Sequence, residues 1–489
     1  MKADLRTASL LIASVALGAC AVGPNYRRPT APEPQHFKEA EGWKPAEPRE
    51  AASGTTWWAV YGDATLDDLE RQVEVSNQTL KASEAAWRQA VAVAQAAGAQ
   101  LYPTVTVTAS ATRSRGTAST FVNTNPSATP GVQPPATNEF SVTGTAAWDL
   151  DLWGKIRRTI ESDVASAKAS EAELAGARLS AQATLAIDYV ELRVTDEQIQ
   201  LLAETVKGYR RALEITQNQY QVGVAAKADV ITAQTQLDGA ESQQIGLQVQ
   251  RAQLEHAIAV LIGKAPADFA LAPATLGASI PVVPAGVPSV LLERRPDISA
   301  AERRMAAANA QIGVAVAAYF PDLTLSGGYG FASSTTETLF HAASHVWSVG
   351  ASASDPLLDF GARRYQVHAA RAAYEGTVAT YRQTVLAAFQ QVEDELAALR
   401  ILESQYEVAD RTVKDANLAV NLTLNQYKAG IVAYTAVVTA QATALQDAQT
   451  LLAVRQNRLV ASITLIQALG GGWSANDLTA VHAGLPTPL

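Results

Sequence analysis

The sequence predicts a mixed α+β chain in which one unit is written twice: two β-strands followed by a long helical hairpin. Three observations carry that reading. First, "NQYQVGVAAKADVITAQ" at Asn218–Gln234 returns as "NQYKAGIVAYTAVVTAQ" at Asn425–Gln441, with Gly223 and Gly430 in the same slot, 207 residues apart. So long a period lies outside the solenoid range and marks a duplicated half-molecule. Second, Leu185, Leu192, Ile199, Val206, Leu213 and Tyr220 recur every seven residues. Their counterparts Val392, Leu399, Tyr406, Val413, Val420 and Tyr427 are apolar or aromatic too. A sustained seven-residue repeat predicts long helices packed side by side. Third, four segments alternate apolar and polar residues with the period of a strand.

In chain order, residues 1–19 read as a signal peptide. Lys2 and Arg6 precede a short apolar run, which is too brief to span a bilayer. Cys20, the single cysteine, follows Leu17-Gly18-Ala19. That arrangement resembles the bacterial lipobox, which implies a covalent lipid (diacylglycerol and an N-acyl chain) on Cys20. An ordinary cleavage site beside a chance cysteine is the alternative. One cysteine also excludes an intrachain disulfide. The 489 residues carry 47 acidic against 38 basic side chains, a net charge of −9. This balance argues against a nucleic-acid partner. Residues 20–65 form a lipidated N-terminal segment, and 66–267 the first structural repeat.

Within that repeat, Val105, Val107, Ala109 and Ala111 alternate with Thr and Ser. After the loop Gly116–Asn138, Phe140, Val142, Gly144, Ala146 and Trp148 do the same. The second repeat, 293–474, supplies Leu323, Leu325, Tyr329 and Phe331, then Trp347, Val349, Ala351 and Ala353. Tyr102-Pro103 matches Phe320-Pro321 at an offset of 218, so the first copy carries eleven extra residues, assigned to the Pro-rich loop. Strands of this length and alternation suit a membrane barrel. They also suit a small sheet in a soluble domain, and four strands cannot close a barrel alone. Lys155–Gln221 predicts a helix about 100 Å long, which Gly176 and Gly208 could bend. Leu66–Gln100 and Val230–Ile262 together match that length, so the two shorter helices are expected to stack end to end beside it. Gly223 and Gly430 suit left-handed C-caps at the hairpin tips.

Residues 268–292 contain Pro273, Pro281, Pro284 and Pro288 and read as a linker; 475–489 form a C-terminal tail. In "RRPDI" at Arg294–Ile298, Pro296 and Asp297 suit the first turn of a helix, a structural role. His341 and His345 stand four apart, but in a predicted turn and without a glutamate, so no metal site is expected. No nucleophile–base constellation is present, and no enzyme or catalytic residue is expected.

"CAVGPNYRRP" at Cys20–Pro29, "WWAVYGDATLDDL" at Trp57–Leu69, "RRPDI" with Glu302, and the two "QY..G" hairpins resemble the TolC-type outer-membrane efflux family, in its lipidated OprM- and NodT-like branch. The resemblance covers essentially the whole mature chain. It implies a homotrimer whose twelve strands close a transmembrane β-barrel in the outer membrane, continued by an α-helical tunnel in the periplasm. An equatorial domain would gather the N-terminal segment, the linker and the C-terminal tail. The implied partners are outer-membrane lipid, a periplasmic membrane-fusion adaptor and an inner-membrane transporter of the RND class; the implied role is passive export of drugs or other small toxic compounds. The exit duct of a type I protein secretion system, and a lipid-anchored coiled-coil scaffold or adaptor, are the alternatives. Val222, Gly223 and Val224, with Ala429, Gly430 and Ile431, put small apolar residues at exposed tips and are expected to dock the adaptor. Asp229, Tyr220 and Tyr427 are expected to form the periplasmic gate, Tyr427 donating to the Asp229 carboxylate. The second copy has Ala436 where that acid is expected. Asp229 as a simple helix cap is the alternative.

Overall fold

The computed structural model describes residues 21–31, 34, 36–40, 56–115, 136–277 and 293–481. The signal segment, Cys20, most of the Gly116–Asn138 loop and most of the Pro-rich linker lie outside the described residues.

The order is α1 (Ala64–Ser76), α2 (Gln78–Ala99), β1 (Thr104–Ser114), β2 (Thr137–Leu150), α3 (Lys155–Gln221), α4 (Lys227–Leu261), α5 (Pro296–Ala317), β3 (Asp322–Ser333), β4 (His345–Ser354), α6 (Ala362–Lys428) and α7 (Tyr434–Ala468). The halves match element for element: α3 and α6 have 67 residues each, α4 and α7 have 35, and α2 and α5 have 22. α3 has the bounds its heptads predict. It runs unbroken through Gly176 and Gly208, so neither glycine interrupts the helix.

The strands form one antiparallel meander, β1-β2-β3-β4. Its register fixes the duplication residue by residue. Thr104 faces Ala147, and Asp322, 218 residues beyond Thr104, faces Ser354, 207 beyond Ala147. One face collects Val105, Val107, Ala109, Val142, Trp148, Leu325, Tyr329, Phe331, Trp347 and Val349; the other carries Thr and Ser. The apolar face is largely exposed. Such a face is unfavourable in water and suits hydrocarbon.

α2 and α4 lie along α3, and α5 and α7 lie along α6. The junctions within each shorter stack show the same offsets. Asn77 caps α2 by accepting from the Leu80 amide, and its Nδ2 donates to the Leu261 carbonyl at 2.8 Å. Arg295, 218 residues on from Asn77, donates to Ala468 O at 3.0 Å, 207 on from Leu261. Asp297 holds that guanidinium from the other side, so "RRPDI" acts as a helix start and joint. The expected single helix over Leu66–Gln100 is corrected here. Asn77 is extended (φ −62, ψ 122) and splits it, and α2 alone continues the stack. α1 packs separately, placing Leu66, Leu69 and Val73 in the main core with Trp57, Tyr61, Tyr189, Leu192, Val392 and Leu459.

Glu70, on α1, is fully buried, and neither carboxylate oxygen has a partner. Burial first, then the nearby Glu74 and Asp67, pushes its pKa up to about 9. The folded state therefore keeps Glu70 protonated at neutral pH, whereas the unfolded chain ionises above about 4.5. Unfolding then releases a proton, and stability falls as pH rises from roughly 4.5 to 9. Glu70→Gln should raise the melting temperature at pH 8, equivalent to about 5 kcal/mol at most, and change it little at pH 4. Equal effects at both pH values would refute a neutral buried acid.

Candidate functional site

At the far end of each hairpin the chain reverses through the same hydrogen-bond pattern. Gly223 N donates to Tyr220 O and Val224 N to Gln219 O; Gly430 N donates to Tyr427 O and Ile431 N to Gln426 O. Both glycines are left-handed, at φ 77 and φ 72. These are Schellman caps, in which a glycine turns the chain while satisfying the last carbonyls. Val222, Val224 and Ile431 project outward, each more than 70% exposed. The predicted tip residues therefore give each hairpin an apolar, solvent-facing end.

Just behind the tips lies a separate core of Val206, Tyr209, Leu213, Leu237, Tyr427, Tyr434 and Val437. The Tyr427 and Tyr434 rings are 5.3 Å apart. Burial, reinforced by Tyr427, Tyr209 and Asp229, pushes the Tyr434 phenol up to about 12. Within this chain the expected Tyr427–Asp229 hydrogen bond is not formed. The Tyr427 hydroxyl is buried without a partner, and the Asp229 carboxylate accepts from Ala226 N at 3.2 Å, closing the first turn of α4. A side chain at the third helical position reaches its own helix start more readily than a neighbouring hairpin. Tyr220 is about half exposed. His341 stands in the β3–β4 turn, and His345 packs edgewise on Tyr329 at 4.6 Å.

Two further constructions escaped the sequence reading. Residues 271–276 of the linker are strapped across α3, α4 and α7. Arg251 donates to Leu271 O, Arg193 to Ala272 O and Arg455 to Leu276 O; Asp196, Glu255 and Glu197 accept from backbone amides of the same stretch. Arg251 also pairs with Asp196 at 2.7 Å. The spacing of Arg193 and Asp196 on one helix face is a weak sequence signal for such a clamp.

The N-terminal stretch 21–31 runs along the opposite end of the hairpins. Val22 N donates to Trp153 O, and Arg158, itself buried, donates to Val22 O and Asn25 Oδ1. Asn309 donates to Pro24 O, Tyr26 donates to Glu302, and Arg28 donates to Tyr381. Gly23 lies so close to Gly313 that a Cβ there would stand 2.5 Å from the Gly313 Cα. Among the described residues no helix is long and apolar enough to cross a membrane.

A duplicated pair of strands with an apolar outer face, open at both edges and continued by 67-residue helices that end in apolar turns, defines a barrel-and-tunnel channel protomer. The chain belongs to the outer membrane efflux protein family, whose model matches residues 69–264 and 287–471, the two halves separately. It is 31% identical over 470 residues to the toluene efflux pump outer membrane protein TtgC of Pseudomonas putida, covering 95% of each chain. It is 28% identical to the cation efflux system protein CusC of Escherichia coli, covering 94% of this chain and 97% of that one. Among solved structures, the outer-membrane channel OprN superposes with a TM-score of 0.86 at 29% identity, covering 93% of this chain and all of that one. The chain is an efflux channel of the outer membrane.

Proposed function

We propose that this chain forms the exit duct of a tripartite pump, a homotrimer that passively releases small toxic molecules. An adaptor would dock on the hairpin tips, and an RND-type inner-membrane transporter would supply the energy. The observation that carries the reading is the sheet. Each chain brings four strands of membrane-spanning length with an apolar outer face and two unpaired edges, which three chains close into twelve strands. The names of the relatives, a toluene pump and a cation system, favour small solutes over secreted proteins. Stepwise conductance of the purified trimer in planar bilayers tests the duct.

The lipid anchor rests on the N-terminal stretch. Val22 is bonded to Trp153, and Ala21 sits against Gly154, where β2 gives way to α3. A diacylglycerol and an N-acyl chain on the preceding residue, Cys20, would enter the inner leaflet of the outer membrane at the rim of the barrel. Mass spectrometry of the mature amino terminus should show the triacylated cysteine, and Cys20→Ser should abolish the adduct while trimers persist. A mature chain starting elsewhere would overturn the anchor.

A further inference from the structure

Between the two hairpins of the chain lies a cleft of about 570 Å³ with a rim of side-chain amides. Gln198 comes from α3, Gln243 from α4, Gln405 from α6, and Gln446, Gln449 and Asn457 from α7. The duplication builds it. Gln198 and Gln405 hold the same position in the two copies, 207 residues apart, as do Gly246 and Ala453, and Leu247 and Val454. α7 packs on α3 and touches α4, which brings these equivalent positions into one hollow. The hollow stays open because residues in it are small: a Cβ on Gly246 would meet nothing within 4 Å. Its floor is apolar, with Leu202 and Val454 buried. The second copy adds what the first lacks, since Gln446 and Gln449 stand where α4 has Gly239 and Ser242.

Among the described residues, none of these six amides forms a hydrogen bond through its side chain, and no charged side chain lines the cleft. Amides elsewhere on the same helices are committed: Gln234 donates to Asp238 at 2.7 Å and Gln390 to Asp394 at 3.3 Å. A carboxamide offers both donors and an acceptor without net charge. Six of them above an apolar floor match an uncharged molecule that carries hydroxyl, carbonyl or amide groups on an apolar frame. An ion would lose hydration there and find no opposite charge. The volume also suits such a molecule, since pockets for drug-sized ligands run from about 300 to 1,000 Å³.

The cleft and the linker strap occupy opposite sides of the helical wall. On α3, Asp196 accepts from the strap at Ala274 N, and on α4, Gln248 lines the strap side with Pro273 and Ala274. At 3.6 residues per turn, Gln198 and Leu202 leave α3 about 120° or more from Asp196, and Gln243 and Gly246 leave α4 about 140° or more from Gln248. A strap belongs on the outside of a tunnel wall, because the inside must stay open. From this we infer that the cleft is a solute-binding station on the lumen side of the duct, selective for neutral hydrogen-bonding molecules over ions. The inference deepens the export reading and rests on it. Binding there is brief, as a conducting path requires: the site must hold a solute weakly enough to release it.

Interruptions of single-channel current test the station. N,N′-diacetylchitobiose, an uncharged sugar with amides and hydroxyls, is added to trimers conducting in planar bilayers. Blockades should appear, and their frequency should rise with sugar concentration. Gln446→Leu combined with Gln449→Leu keeps the side-chain bulk and removes its hydrogen bonding, and should weaken the block roughly tenfold or more. Gln248→Leu, on the strap side, should leave the block as in the parent. The deacetylated sugar, cationic at pH 6, should block the parent and the double variant alike. Unchanged blockade in the double variant, or none in the parent, overturns the station; equal loss for both sugars overturns its preference for neutral molecules. Parent trimers without current would instead overturn the duct, and saturation-transfer NMR of diacetylchitobiose on detergent-solubilised trimers then decides the cleft by itself. A signal lost in the double variant upholds binding there, and a signal that is absent or unchanged refutes it.

Discussion

Gly470→Ala should abolish stable assembly, and Gly263→Ala should come close. These glycines end α7 and α4 at φ 95 and φ 72, where any side chain is strained. They also sit against the joint between the shorter helices of each half. A Cβ on Gly470 would stand 2.1 Å from Arg294 O, and one on Gly263 would stand 2.3 Å from Ser76 O. Both obstacles are backbone atoms within the core joint, so relief requires moving the start of α5 or the α1–α2 junction. The expected loss is about 3–5 kcal/mol for each, combining left-handed strain with overpacking. Gly223 and Gly430 are the internal control. They have similar φ values, but a Cβ on either would meet nothing within 4 Å, so alanine there should cost about 1 kcal/mol. Melting followed by circular dichroism decides the matter; a Gly470→Ala protein that melts like the parent would mean the joint is slack.

The second large effect is expected at the tips. Gly223→Asp combined with Gly430→Asp places charges among Val222, Val224 and Ile431. Because both sites are open, the fold and trimer should survive. An apolar docking surface would not, since a desolvated carboxylate without a partner is strongly unfavourable. Adaptor crosslinking should fall more than tenfold, and cells should become as sensitive to pump substrates as cells lacking the channel. Undiminished efflux from trimeric double mutants would assign the tips to turn geometry alone.

Much of this architecture is legible in the sequence because duplication and periodicity are repeated signals. The heptads bound α3 at Lys155–Gln221, the two glycines mark the reversals, and the offsets 207 and 218 reappear in the strand register and in the Asn77 and Arg295 joints. What escaped has no period. Asn77 breaks a continuous apolar pattern through one capping side chain. The linker strap and the N-terminal stretch are held by Arg, Asp and Glu bonded to backbone atoms far away in sequence. Asp229 shows the other limit. Its place near the tip is plain from the repeat, but whether a carboxylate reaches across to Tyr427 or back to Ala226 depends on a few ångströms that spacing does not encode.

The central claim is that three copies enclose a continuous duct. Protein purified in mild detergent, shown by mass to be trimeric, should insert into planar bilayers and give uniform conductance steps. Trimers that insert but carry no current at any voltage, in the parent and in variants with polar substitutions at Tyr427 and Tyr434 behind the tips, would contradict it.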